Sequence, residues 1–303
     1  MILKHREKSK ELLILESLHA RMELTKNEKS RFRNLARGFE GEQKFDRFIE
    51  DLSEERYVLN DLLLEVNQSY FQLDTVIISQ EAVYLLDSKY YEGDFYFDSS
   101  GKFVAKKSNF HYKNPVDQLN RSVTLFGQFL RQHQLSFITE PLVIFIHPEF
   151  TLYQAPMDLP IIFPTQLPRF IRMLDESPST LASSHKKLAQ LLLTSHCEDY
   201  PGTVLPTYEY EQLRKGVCCL VCQSFRVVVQ GKVFGCQDCG AREKIQEGVV
   251  RSVEEFRLLF PERAVTRGSV EEWCGGMVSR DTIKRVLAKQ YQLMKKSQNS
   301  YYV

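Results

Sequence analysis

No apolar run in this 303-residue chain approaches the ~18 residues of a membrane-spanning helix. The opening Met1-Ile2-Leu3-Lys4-His5-Arg6 lacks the apolar stretch of a secretory signal, so a cytoplasmic protein with no membrane partner is expected. A GxxxxGK[ST] loop is also missing, which removes the usual phosphate cradle of NTP-driven enzymes. His111, His133 and His147 are scattered, and none has a serine or cysteine arrangement suited to nucleophilic catalysis. There is no long internal repeat and no low-complexity tract. Net charge is only +1, so overall charge selects no partner.

What is present is a chain with 43% hydrophobic residues, enough for a large core and for two or three domains. Its charge is uneven. Residues 1–37 hold ten Lys or Arg against five Glu, and residues 280–303 hold six against Asp281 alone. Basic ends on a neutral middle suit a polyanionic partner, and they are also common on soluble proteins. Seven cysteines in a reducing compartment point to thiols or metal ligands over disulfides.

Periodicity divides the chain. Residues 1–35 read as a basic helix with Leu12, Leu15, Leu18 and Met22 on one side, packing on the body or on a protein partner. Ala36–Leu52 reads as a second helix. Strand-like runs follow at Tyr57–Leu64, Phe71–Ser79 and Ala82–Lys89, then a helix over Val116–Arg131 with Pro115 at its first turn. Leu142–Ile146 reads as a buried central strand. A shorter strand and two helices complete an α/β domain over residues 36–200. Residues 201–213 look like a linker, residues 214–246 form a cysteine-rich module, and residues 247–303 form a helical tail.

The densest chemistry lies between Asp74 and Lys89. Strand side chains alternate, so Asp87 and Lys89 share a face. If Gln80 and Glu81 form a two-residue turn, Ser79 pairs with Ala82 and Asp74 falls opposite Asp87. A three-residue turn would put the acids on opposite faces. Opposed residues have Cβ atoms about 4.5–5.5 Å apart, where like charges repel unless a cation sits between them. A divalent cation satisfies that layout, and so does a plain salt bridge to Lys89.

The pieces Gly38-Phe39-Glu40-Gly41-Glu42, Asp74, Leu85-Leu86-Asp87-Ser88-Lys89 and Asn114-Pro115-Val116-Asp117-Gln118 together resemble the nuclease-related domain family (NERD), a branch of the restriction-endonuclease-like PD-(D/E)xK superfamily. The resemblance covers roughly residues 36–150. One departure is Asp87, where the family often has Glu. The resemblance implies an α/β core of helix, three strands, helix and strand. It also implies a Mg²⁺ (or Mn²⁺) ion held by Asp74, Asp87 and the Ser88 carbonyl, with Lys89 positioning or deprotonating the attacking water. Glu42 would orient Lys89 or reach the metal through water, and Gln118 would contact the site or the nucleic-acid backbone. Tyr90, Tyr91, Tyr96 and Phe97, with Lys106, Lys107 and Lys113, could line a strand-binding cleft or be ordinary strand residues.

Cys219-x-x-Cys222 and Cys236-x-x-Cys239 lie thirteen residues apart, a spacing that places four thiolates around a structural Zn²⁺. The stretch resembles a zinc ribbon, with a tight hairpin at Gln230-Gly231. A module so small would draw much of its folding free energy from the metal. Cys218 could replace Cys219, although CxxC geometry favours Cys219. Val270–Leu287 reads as a helix-turn-helix: one helix ends at Gly275-Gly276 and Ser279 caps the next. Arg280, Thr282, Lys284 and Arg285 would then face outward, as a major-groove reader requires. The function expected is a metal-dependent DNA nuclease or DNA-processing protein. The alternative is a non-catalytic nucleic-acid-binding or regulatory protein retaining the fold. A third possibility is an assembly factor using the ribbon and N-terminal helix for protein contacts.

Overall fold

In the computed structural model the N-terminal segment is three elements, not the single helix expected. The structure describes residues 1–52, 55–296 and 299–303. The chain opens with strand β1 (Ile2–Lys4), then helix α1 (Lys10–Arg21) and the long helix α2 (Lys26–Ile49). Local capping explains the breaks. Ser9 Oγ accepts from Leu12 N at 3.2 Å and starts α1. Thr25 and Glu28 then form a reciprocal capping box that starts α2: Thr25 N donates to Glu28 Oε2 at 2.8 Å, and Glu28 N donates to Thr25 Oγ1 at 3.3 Å. The chain divides into two compact units, Met1–Lys8 with Arg33–Thr203 and Ser9–Phe32 with Val204–Val303.

The first unit is built on a six-stranded sheet. Its strands β2 (Tyr57–Val66), β3 (Ser69–Ile78) and β4 (Val83–Lys89) form an antiparallel meander. A second sheet follows with β5 (Gly93–Phe97), β6 (Phe103–Ala105) and β7 (Phe110–Tyr112), then helix α3 (Pro115–Gln132). Next come β8 (Thr139–Phe145), β9 (Phe150–Tyr153), β10 (Ile161–Ile162), and helices α4 (Leu167–Glu176) and α5 (Ser183–Thr194). The large sheet runs in the order β1-β2-β3-β4-β8-β10, with β8 parallel to β4. The smaller one runs β7-β6-β5-β9.

The strands of the large sheet are apolar on both faces because both are covered. Val76, Ile78 and Leu85 pack with Phe126 and Phe129 of α3 and Leu188 of α5. Ile77 and Leu86 pack with Phe45 of α2 and Phe170 of α4. Asn114 caps α3 by accepting from Val116 N at 3.0 Å, with Pro115 at the first turn where a missing N–H costs nothing.

The second unit places α1, the cysteine module and the tail around one core. The module is a three-stranded antiparallel sheet of β11 (Val227–Gln230), β12 (Val233–Cys236) and β13 (Arg242–Lys244). Gly231, at φ 65°, turns the first hairpin in a conformation that favours glycine. The tail holds α6 (Ile245–Leu259), α7 (Arg267–Trp273), α8 (Arg280–Gln290) and a terminal hairpin of β14 (Leu293–Lys296) and β15 (Asn299–Tyr302).

Ile14 and Leu18 of α1, Val227 and Phe234 of the module, and Phe256 and Trp273 of the tail share this core. The apolar face of α1 is therefore buried within its own chain. Module and tail are not independent, and Tyr210 and Leu213 of the expected linker are buried in the same core. The ribbon draws apolar support from these helices as well as from any metal. Arg21, fully buried, ties the unit together. It pairs with both carboxylate oxygens of Glu255 at 2.8 and 2.6 Å, donates to Arg214 O at 2.6 Å, and lies 3.9 Å over the Trp273 ring. Among the described residues no helix is long and apolar enough to cross a membrane.

Candidate functional site

The β3–β4 hairpin has a two-residue turn: Ser79 N donates to Ala82 O at 3.0 Å, and the ladder runs from Ile78 opposite Val83 to Thr75 opposite Leu86. One more step in that register brings Asp74 level with Asp87. The Lys89 ammonium lies 2.7 Å from Asp87 Oδ2. Ser88 N donates to Asp74 Oδ2 at 3.0 Å, while Ser88 Oγ is buried with no hydrogen-bond partner among the described residues. Gln118, on the first turn of α3, directs Nε2 at Asp87 Oδ1 across 3.4 Å, a long contact. Asp74, Asp87, Ser88, Lys89 and Gln118 are thus gathered in one place by two strands and a helix.

Glu42 is paired with Arg6, whose Nη1 donates to Glu42 Oε2 at 3.0 Å, and it lies near enough to Asp74 and Lys89 for both charges to act on its carboxyl. Arg6 is a hub that periodicity and motif do not reveal. The guanidinium also binds both carboxylate oxygens of Asp46 at 2.9 and 3.1 Å, and Asp61 Oδ1 at 2.8 Å. It donates further to the Asp74 carbonyl at 3.0 Å and to Thr75 Oγ1 at 2.8 Å. Its side chain is 2% exposed.

Asp61 lies between the pairs Asn60–Thr75 and Leu62–Leu73, level with Asp74 on the next strand. Three acidic residues, Asp61, Asp74 and Asp87, therefore hold level positions on β2, β3 and β4. Asp61 has φ 51°, a left-handed conformation uncommon inside a strand, though aspartate adopts it more readily than most residues. The sequence does hint at the acidic partners. Glu42 and Asp46 sit four apart on one helix face, where like charges repel without a cation, and Asn60-Asp61 breaks the apolar run of β2.

Gly41 explains how α2 comes close enough to deliver Glu42. A Cβ at this position would lie 2.3 Å from Tyr90 Cβ and 2.6 Å from Tyr90 Cγ. Only glycine lets the helix approach the residue that follows Lys89.

The charges do not balance. Glu42, Asp46, Asp61, Asp74 and Asp87 gather around Arg6 and Lys89, with Lys4 beside Asp61. Burial pushes the Asp61 carboxyl up to about 6, against the pull of Arg6. Burial, with Asp74 nearby, also raises Glu42 despite the same arginine, and burial raises Asp87 despite Lys89. One guanidinium shared among three carboxylates cannot offset the loss of water from each. For both cations burial works the other way and loses. Arg6 is held above the usual arginine range by Asp46, Asp61 and Glu42, and Lys89 above the usual lysine range by Asp87 and Asp74. Both remain positive at neutral pH. The cluster thus holds more carboxylates than cations, largely withdrawn from water.

A separate site lies in the second unit. The Sγ atoms of Cys219, Cys222, Cys236 and Cys239 lie within 4.8 Å of one another. Cys219 and Cys239 are 3.6 Å apart, as are Cys222 and Cys236. A tetrahedron with sulfur about 2.3 Å from its centre has edges of about 3.8 Å, so the four thiols fit one Zn²⁺. Val221 N points at Cys219 Sγ across 3.4 Å. Cys218 lies outside the quartet, beside Arg251, whose Nη2 donates to its carbonyl at 2.8 Å. The four cysteines on a small antiparallel sheet are consistent with a zinc ribbon holding a structural zinc.

In the tail, Ser279 Oγ accepts from Thr282 N at 3.4 Å and begins α8. Lys284 and Arg285 are exposed. Arg280 is exposed too, but its Nε lies 2.5 Å from Glu271 Oε2. Thr282 is half-buried, with its Oγ1 accepting from Arg285 Nη2 at 3.2 Å, so it serves the helix start before any ligand.

These features define a mixed α/β protein with a buried carboxylate–lysine cluster on one unit and a four-cysteine site on the other. Residues 37–146, which contain the cluster apart from Arg6 and Lys4, match the family model of the nuclease-related domain (NERD). This stretch is a nuclease-related domain, and it suggests a nuclease-related function acting on nucleic acid. No curated protein and no solved structure gives a significant match to the chain.

Proposed function

We propose that the protein is a metal-dependent DNA nuclease, hydrolysing phosphodiesters at the Asp74–Asp87–Lys89 cluster. The observation that carries the reading is the set of acids level on adjacent strands, with Lys89 2.7 Å from Asp87, in a buried site with more carboxylates than cations. Element order supports it: α2, β2, β3, β4, α3 and β8, with β8 beside β4, is the order of a restriction-endonuclease-like core.

Asp74 and Asp87 would hold Mg²⁺ or Mn²⁺. In a strand a residue's N–H and C=O point to the same side, so the Ser88 carbonyl, on the side of the amide that meets Asp74, would serve as a third ligand. When bound, such an ion polarises the phosphoryl oxygen and supplies a more acidic water. The chain's own groups do the rest. Lys89, held positive, orients the attacking water and faces the charge that develops on the phosphorane; its raised pKa makes it a poor proton acceptor. Gln118 steadies the Asp87 carboxylate through its outer oxygen. Glu42 helps fix Arg6 and, through it, the backbone of Asp74. Exposed Phe110 and Tyr112, with Tyr112 5.3 Å from the Tyr91 ring, offer stacking surface beside Lys89.

The test is incubation of the pure protein with plasmid, linear and single-stranded DNA in Mg²⁺ or Mn²⁺, alongside Asp87→Ala and Lys89→Ala. Metal-dependent cutting that disappears in both variants is expected. Tight binding with no cutting under any of these conditions would sink the nuclease in favour of a binding protein.

A further inference from the structure

The C-terminal tail closes in a way that a helical hairpin alone does not require. Val265, between α6 and α7, forms an antiparallel bridge with Tyr302, and Tyr302 N donates to Val265 O at 2.8 Å. β15 pairs in turn with β14, Leu293 standing opposite Tyr302. The path is therefore helix α6, a bridging residue, helices α7 and α8, then a hairpin whose last strand returns to the bridge. We propose that this closed arrangement of α6, α7, α8 and the paired strands β14 and β15 is a winged-helix module that grips duplex DNA, with α8 in the major groove.

Three observations carry the proposal. First, α8 has two contrasting faces: Ile283, Val286 and Leu287 are buried, while Lys284, Arg285 and Lys289 are exposed. Asp281 is the only acid on the helix, so its outer face complements phosphate. Second, the two left-handed glycines, Gly275 at φ 65° and Gly276 at φ 69°, turn the chain between α7 and α8 within a few residues. α7 and α8 pack together across that turn, the order of a helix-turn-helix whose second helix would read base edges. Third, the Val265–Tyr302 bridge ties the last strand of the hairpin back to the segment between α6 and α7, closing the module around α7 and α8 in sequence. Arg280 is tied to Glu271 and Thr282 to the helix cap, while Arg285 bonds within α8, to Asp281 O at 3.3 Å and Thr282 Oγ1 at 3.2 Å; Lys284 is the principal reader, joined by Arg285 once it leaves those local bonds.

The proposal rests on DNA being the polymer, and its test does not depend on cleavage. Binding of a fluorescent 20-base-pair duplex would be followed by anisotropy, using the full chain carrying Asp87→Ala so that the probe stays intact. Lys284→Ala combined with Arg285→Ala is expected to weaken binding roughly tenfold or more, and to lower the salt dependence by about one unit for each phosphate no longer neutralised. Lys187→Ala, on the other unit, serves as the control. As a second measurement on the unsubstituted chain, duplex should protect Lys284 from acetylation, read by mass spectrometry. Undiminished binding by the double variant, or no protection of Lys284, would overturn the proposal. If the natural chain cuts DNA while the double variant binds normally, the winged helix fails and the nuclease stands. Duplex binding abolished in the double variant, with no cutting by the natural chain, gives the reverse.

Discussion

Arg6 offers the sharpest test of how this site is held together. Replacing it with alanine leaves Glu42, Asp46 and Asp61 without their shared cation and leaves the Asp74 carbonyl and Thr75 hydroxyl without a donor. The guanidinium is 2% exposed, so little water is available to replace it. Removing one side of such a buried pair costs about 3–5 kcal/mol, chiefly through the uncompensated charge left behind. At ~2–4 °C per kcal/mol for a unit of this size, the melting temperature should fall by roughly 6–20 °C.

The sign of the pH dependence is also fixed. The Asp61 carboxyl, already raised to about 6, and the raised Glu42 move higher without Arg6. Groups with raised folded pKa values give stability that is present at low pH and lost as pH climbs through that value. The deficit of Arg6→Ala should therefore be larger at pH 8 than at pH 5. Arg6→Lys keeps the charge without the fork and should recover only part of the loss. Calorimetric melts of the three proteins at both pH values make the measurement. A deficit below about 1 kcal/mol, or one that grows on acidification, would refute a buried cation serving three acids.

Other outcomes follow from close packing and from the metal site. Gly41→Ala places a methyl group 2.3 Å from Tyr90 Cβ, so α2 must withdraw; a loss of about 1–3 kcal/mol is expected in denaturant titrations. Cys219→Ser should cut bound zinc from about one per chain to near zero, while Cys218→Ser should leave it unchanged, as elemental analysis would reveal. Arg21→Ala removes the partner of Glu255 and the cation over Trp273, and should lower the stability of the second unit by about 3–5 kcal/mol in the same titrations.

Local chemistry is the part of this molecule that is legible in its sequence. Ser79 and Ala82 set a two-residue turn, which then fixes the level of every residue on both strands, Asp74 and Asp87 included. The cysteine quartet and the Ser279 cap are likewise short-range patterns. Arg6 stays hidden because its partners lie 36 to 69 residues away, and an arginine in a basic stretch looks like any other. The second sheet escapes periodicity because β6 and β7 are three residues each, too short for alternation to register. The capping box at Thr25 and Glu28 is a readable signal, and it divides the N-terminal segment where a single helix was expected.

The two units exchange the chain three times, between Lys8 and Ser9, between Phe32 and Arg33, and between Thr203 and Val204. A protease that nicks only the last junction leaves both units still joined by covalent bonds near the N-terminus. A fragment beginning at residue 37 carries every residue of the matched domain and still lacks Arg6. During synthesis, Arg6 emerges long before Asp61 and Thr75, and must wait for them before its hub can form. Inheritance carries a lopsided constraint: recombination at Thr203 would pass on the first unit whole but split the second, Ser9–Phe32 coming from one parent and Val204–Val303 from the other.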